Sequence, residues 1–202
     1  MKKVVIILCV CFGMLLYSCE PDPSKEGINL PPMEMGLQIT PDTAFIKLGD
    51  TVWLRSSISS TLSNGVKIED GKATIDLFIG YINQVPVVDF AFEAAIPNDH
   101  LQIYSTLGGI NISSNTSKIT DIYALPYGDS IQVEIAFIPL KKGTYAFEVQ
   151  SMFYEGKQGK TRTVPKFDML DTHWDLQQIP NQTIPLPGTT EYYTSYLFAV
   201  TD

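Results

Sequence analysis

Ser130-Ile131-Gln132-Val133-Glu134-Ile135-Ala136-Phe137 alternates in character for eight residues. A period of two marks a strand with one face in a core and the other in solvent, because successive side chains of a pleated strand point to opposite sides. The pattern recurs outward in both directions. Thr51 to Ser56 puts Val52 and Leu54 on one face, with Trp53 and Arg55 on the other. Ile75, Leu77 and Ile79 alternate with Thr74, Asp76 and Phe78, and Tyr145, Phe147 and Val149 with Ala146, Glu148 and Gln150. Turn-forming pairs punctuate the runs: Asn64-Gly65, Asp70-Gly71, Gly108-Gly109 and Lys142-Gly143. No internal repeat breaks the series, and a short helix around Asp168 to Gln177 is the only helical candidate. The chain reads as all-β, an antiparallel β-sandwich or barrel.

Two segments refine that reading. Leu48-Gly49-Asp50-Thr51-Val52-Trp53-Leu54-Arg55-Ser56 resembles the second strand of immunoglobulin-like domains, with Ser56 where a cysteine often stands. Lys142-Gly143-Thr144-Tyr145-Ala146-Phe147-Glu148-Val149 resembles the sixth strand, with Phe147 in the second cysteine's place. The resemblance implies an Ig-like sandwich in which the Tyr145 hydroxyl bonds back to upstream backbone and pins a corner. Both cysteines and the third-strand tryptophan of that family are missing. The interval from Ser56 to Phe147 is long, so extra strands are expected between Gly71 and Tyr123, and Pro165 to Asp202 overruns the usual end. A different sandwich topology is the alternative.

The amino terminus reads as an address. Lys2 and Lys3 precede Val4 to Tyr17, a run free of charged side chains and short of the roughly 20 residues a spanning helix wants. Leu16-Tyr17-Ser18-Cys19 resembles the lipobox of bacterial lipoproteins, which implies cleavage before Cys19 and acylation of that cysteine. Several acyl chains on one residue supply stable membrane attachment. The expected organisation is a signal peptide over 1–18, a lipidated proline-rich tether over 19–34 and a β-sandwich over 35–202. The tether carries Pro21, Pro23, Pro31 and Pro32, each fixing φ and removing a backbone donor. Its acidic start at Glu20, Asp22 and Glu26 resembles the cluster that follows the cysteine in surface lipoproteins of Bacteroidota. The expected location is the outer membrane, on its periplasmic face or at the cell surface.

Composition removes several classes of function. The three cysteines are Cys9 and Cys11, inside the signal, and Cys19. An exported domain without a disulfide must be held by core burial, and cysteine-based catalysis and zinc sites are not expected. The formal net charge is −8, and cleavage would remove two lysines more. Nucleic acid is therefore not an expected partner, since phosphate binding needs clustered Lys and Arg.

Candidate chemistry lies mainly near the carboxyl terminus. Asp168, Asp171, His173 and Asp175 cluster within eight residues, and carboxylates with an imidazole can hold a divalent cation, although the spacing fits neither an EF-hand nor a zincin. Trp174, Tyr192, Tyr193 and Tyr196 offer planar rings that stack on sugars or anchor a partner protein. Glu191 to Val200 reads as a last strand, with Tyr192, Thr194, Tyr196 and Phe198 on one face. Asp42-Thr43-Ala44, Asp50-Thr51-Val52 and Asp129-Ser130-Ile131 resemble the O-glycan acceptor motif of exported Bacteroidota proteins, at Thr43, Thr51 and Ser130.

Catalysis has little support. His100 and His173 are the only histidines, and neither a Gly-x-Ser-x-Gly elbow nor a Gly-rich phosphate loop is present. The expectation is a non-enzymatic, cofactor-free binding module on the envelope, presenting its sandwich to a glycan or protein partner. A structural or adhesin subunit acting through sheet edges is the alternative, and a hydrolase with a carboxylate pair the third reading.

Overall fold

The computed structural model describes residues 30–83, 93–95, 98–112, 119–168, 173, 176 and 195–202. Among these residues the strands are β1 (Met33–Thr40), β2 (Phe45–Lys47), β3 (Val52–Ser59), β4 (Lys72–Ile82), β5 (Glu93–Ala94) and β6 (Leu101–Leu107). They continue as β7 (Gly109–Ile112), β8 (Ile119–Tyr127), β9 (Ser130–Pro139), β10 (Gly143–Gly156), β11 (Gly159–Phe167) and β12 (Ser195–Thr201).

They form two layers, with the core between them. In the front layer β3 lies between β1 and β9, and β6 and the end of β8 share the far edge of β9. In the back layer β10 lies between β4 and β12, with β2 parallel to β12 at the margin. This is an Ig-like β-sandwich: the second-strand segment sits in one sheet and the sixth-strand segment in the other. The extra strands are β2, the short β5 and β7, β6, and β11, which forms a hairpin with the last four residues of β10.

Two strands change layers along their length. Met33 to Leu37 of β1 pair with β11, whereas Gln38 to Thr40 pair with β3. Ala124 at the centre of β8 pairs with β4, and Leu125 to Tyr127 pair with β9. The crossings join the sheets into one continuous ladder that returns to itself through β4 and β10.

Alternation fills the core as the sequence predicts. Leu54, Ile135 and Phe137 point inward from the front, and Leu77, Ile79, Tyr145, Phe147 and Phe198 from the back. Phe147, in the lost cysteine's place, packs 4.8 Å from Phe137 and 5.3 Å from Phe198 between ring centroids. Such pairs add about 0.5–1.5 kcal/mol each beyond area burial. Ser56, at the other cysteine position, is buried, and its hydroxyl has no hydrogen-bond partner among the described residues.

The corner forms as the immunoglobulin resemblance implies. The Tyr145 hydroxyl lies 3.0 Å from the Lys141 carbonyl, four residues upstream, and 3.0 Å from that of His100. Tyr81 donates to the next carbonyl, Lys142, at 2.7 Å. The amino-terminal boundary needs correction. Leu30 and Met33 are buried in the core, so the packed domain starts inside the stretch read as tether, because an apolar side chain beside a crossing strand has a core to enter.

Candidate binding face

Outward-pointing residues of the front sheet form a continuous platform. Register aligns Thr40, Trp53, Ala136 and Tyr104 across β1, β3, β9 and β6. Ala136 is 3 % exposed although both its chain neighbours point into the core; a methyl flanked by two rings is shielded from the outside. Strand spacing sets Trp53 and Tyr104 about 9–10 Å apart. Tyr104 is 53 % exposed and Trp53 half-buried.

The next row locks the first in place. The Arg55 guanidinium lies 4.7 Å from the Trp53 ring centroid, and its Nε donates to Glu134 Oε2 at 2.6 Å. Thr106 Oγ1 donates to the other Glu134 oxygen at 2.6 Å. Thr106 and then Arg55 hold the Glu134 carboxyl below the usual carboxylate range. The Tyr104 hydroxyl donates to Gln102 Oε1 at 3.2 Å. Further rows add Ser57 beside Gln132 and Ser59 beside Ser130, with Leu125 and Tyr127 exposed at the margin. The face thus combines rings, amides and hydroxyls with a self-neutralised ion pair, on an acidic chain.

The residues singled out from sequence fall elsewhere. Cys19, Asp171, Trp174, Asp175, Tyr192 and Tyr193 lie outside the described residues. Tyr196 is a correction: it is fully buried, with Phe167 5.9 Å away, and its hydroxyl donates to Asp42 and accepts from the Thr43 amide at 3.3 Å. Its ring faces the core because it shares a strand face with Phe198, so it offers no stacking surface. His173 is buried against Tyr196, with Nε2 3.3 Å from Asp42. Asp168 is exposed beside Gly36. Among the described residues no group of three metal-ligating side chains forms. Thr43 Oγ1 reaches the Phe45 carbonyl, Ser130 Oγ donates to the Tyr127 carbonyl, and Thr51 precedes β3 half-buried.

Sequence reasoning placed Trp53 and Arg55 on an outer face without connecting them to recognition. The signal was available: a tryptophan on the polar side of an alternating strand has no core to enter. Tyr104 gave no comparable signal, since its partnership with Trp53 exists only through β9.

No protein-family model and no curated protein matches the sequence. Among solved structures, the chain is similar to a type II cohesin domain from the cellulosome of Acetivibrio cellulolyticus. Identity is 10 %, over 65 % of this chain and 84 % of that one, with a TM-score of 0.29. It is also similar to a chain of a type II cohesin-X-dockerin complex, an N-terminal interface mutant, from the same organism. There identity is 11 %, coverage 63 % and 86 %, and the TM-score 0.25.

Proposed function

We propose that this chain is a lipid-anchored, non-catalytic binding module of the cell envelope, carried by Cys19 on the outer membrane and recognising a glycan or an envelope protein. The observation that carries the reading is the platform. Trp53 and Tyr104 flank a small residue on the outer face of the sheet, and Arg55, held by Glu134 and through it Thr106, lies over the Trp53 ring and orders it before any ligand arrives. Ordered rings lose little conformational entropy on binding, and exposed aromatics are the side chains that carry recognition energy.

The test is a glycan-array and envelope-protein screen with the full chain in detergent, beside Trp53→Ala and Tyr104→Ala. Ligands lost by both variants, with unchanged circular dichroism, support the reading; binding indifferent to both refutes the platform. The anchor is tested separately. Cys19→Ser should abolish incorporation of an alkyne-tagged fatty acid, and labelling that persists would remove lipidation from the proposal.

A further inference from the structure

The crossing of β1 leaves a second feature on the same layer. β1 stays with β3 for only three residue pairs, Gln38 to Thr40 against Arg55 to Trp53, before its other half turns to β11. β3 continues along β9 to Ser59. Ser56 to Ser59 are therefore paired on the β9 side and have no strand on the other among the described residues. The far edge of β9 shows the contrast, since β6 and β8 occupy it in series.

The diverging strands enclose a groove. One cavity of about 390 Å³ reaches from Gln38 and Arg55 to Ile58, and a second of about 400 Å³ continues from Ile58 to Pro32 and Thr61. At its floor the Ser56 hydroxyl is buried and has no hydrogen-bond partner among the described residues. A buried hydroxyl in that state is destabilising unless something supplies a partner. Its walls carry the exposed carboxylates Asp168 and Glu34. Arg55 is committed to Glu134, and Lys166 approaches Glu34 only to 4.0 Å. Asp168 has no ion-pair partner among the described residues.

We propose that the groove between β1 and β3 is a binding site for an extended polypeptide segment bearing a basic side chain, which adds as a strand to the free edge of Ser56–Ser59. Three properties select this occupant. Unpaired backbone donors and acceptors in a row are satisfied best by another backbone in extended form. Four residues at about 3.3 Å each give a slot about 13 Å long, the size of a short strand. The acidic walls favour Lys or Arg on the outward face, while the Ser56 hydroxyl favours a small polar side chain on the inward one. The groove shares Arg55, Ser57 and Ser59 with the platform but is lined by neither Trp53 nor Tyr104, so each surface has variants of its own.

The experiment pans random linear dodecapeptides displayed on phage against the full chain in detergent. The expected result is enrichment of peptides carrying Lys or Arg. A synthetic binder should lose at least tenfold in affinity for Asp168→Lys and keep its affinity for Tyr104→Ala. Methylating alternate backbone nitrogens of the peptide should weaken it at least tenfold, while methylating the intervening ones leaves it unchanged, because only one set of amides faces the receiving edge. Amide hydrogen exchange should slow at Ser56–Ser59 in the complex. No enriched peptide, indifference to N-methylation at every position, or protection confined to other strands would each overturn the proposal. Binding of neutral glycans alone, or self-association that no peptide competes away, would overturn it equally.

Discussion

Replacing Tyr145 by phenylalanine removes one atom from a fully buried residue and tests the corner directly. The ring contacts survive, with Phe198 stacked at 5.4 Å and Tyr81 at 5.1 Å, so no cavity opens. What disappears is the donor shared by the Lys141 and His100 carbonyls. The His100 carbonyl still accepts from the Leu140 amide, so the loss falls on Lys141. Leaving such a carbonyl short of its partner costs about 1–3 kcal/mol. For a domain of this size that corresponds to a fall in Tm of about 2–12 °C. Urea unfolding followed by tryptophan fluorescence should show a lower midpoint with an unchanged m value, since the surface exposed on unfolding is the same.

Alkaline pH supplies an independent arm. Burial pushes the Tyr145 phenol well above its ordinary value of 10, and the neighbouring Tyr81 adds to the rise. Above pH 10 the unfolded chain releases this proton while the folded chain keeps it, so the unfolded state binds fewer protons and stability falls as pH rises. The slope for one such group is about 1.4 kcal/mol per pH unit. Tyr145→Phe lacks the group, so its stability should decline less steeply above pH 10 by that amount, with Tyr81 and Tyr154 remaining as common background. A loss below about 0.5 kcal/mol at neutral pH, set against the usual worth of one hydrogen bond, or identical alkaline slopes, would refute the corner as a source of stability.

Phe147→Ala should cost about 3–5 kcal/mol in the same urea assay, because the ring fills the inter-sheet space against Phe137 and Phe198. Gly71→Ala should cost at least about 1 kcal/mol, since φ there is +84° and a Cβ would strike the Glu155 carbonyl and Gly156. A double-mutant cycle on Arg55 and Glu134 should give a coupling of at most about 1 kcal/mol that shrinks in 1 M salt, as both side chains reach solvent. The same pair should lose its contribution on acidification: the folded Glu134 carboxyl lies below its ordinary value, so its stabilisation is present above that value and is lost as pH falls through the folded one.

The strands were legible because their faces differ. Val52, Leu54, Ile131, Val133, Ile135, Tyr145 and Phe147 are all buried, at the positions that alternation assigns to the core. The turns at Gly65, Gly71, Gly108 and Gly143 were legible for a different reason: each has positive φ, which glycine adopts without a Cβ penalty. The crossings of β1 and β8 were not legible. A strand that leaves one sheet for another keeps its period of two throughout, so local pattern carries no trace of the change in partner. For the same reason the groove was hidden, since it arises from where β1 goes rather than from what β1 contains. Tyr196 failed in the opposite way: its strand was identified and its face described, but β12 is buried on both faces, which an aromatic-rich segment does not by itself reveal.

Arg55 connects the two surfaces proposed here. Its guanidinium covers the Trp53 ring, its Nε holds Glu134, and it lines the upper cavity of the groove. A strand entering beside Ser56 would lie next to that side chain, so a groove ligand and a platform ligand must both accommodate one Arg55 position. If the position that suits a strand is the one already held by Glu134 and Trp53, the sites are occupied independently. If the strand draws Arg55 toward itself, Trp53 loses its cover and the platform weakens, and by linkage a platform ligand must weaken the groove by the same factor. Titrating the groove peptide with and without a bound platform ligand separates these cases: equal affinities mean independent sites, and a weaker one means coupling through Arg55. Asp168→Lys should weaken only the groove and Tyr104→Ala only the platform. Cross-effects from either of those two variants would mean that the front sheet holds one extended site rather than two.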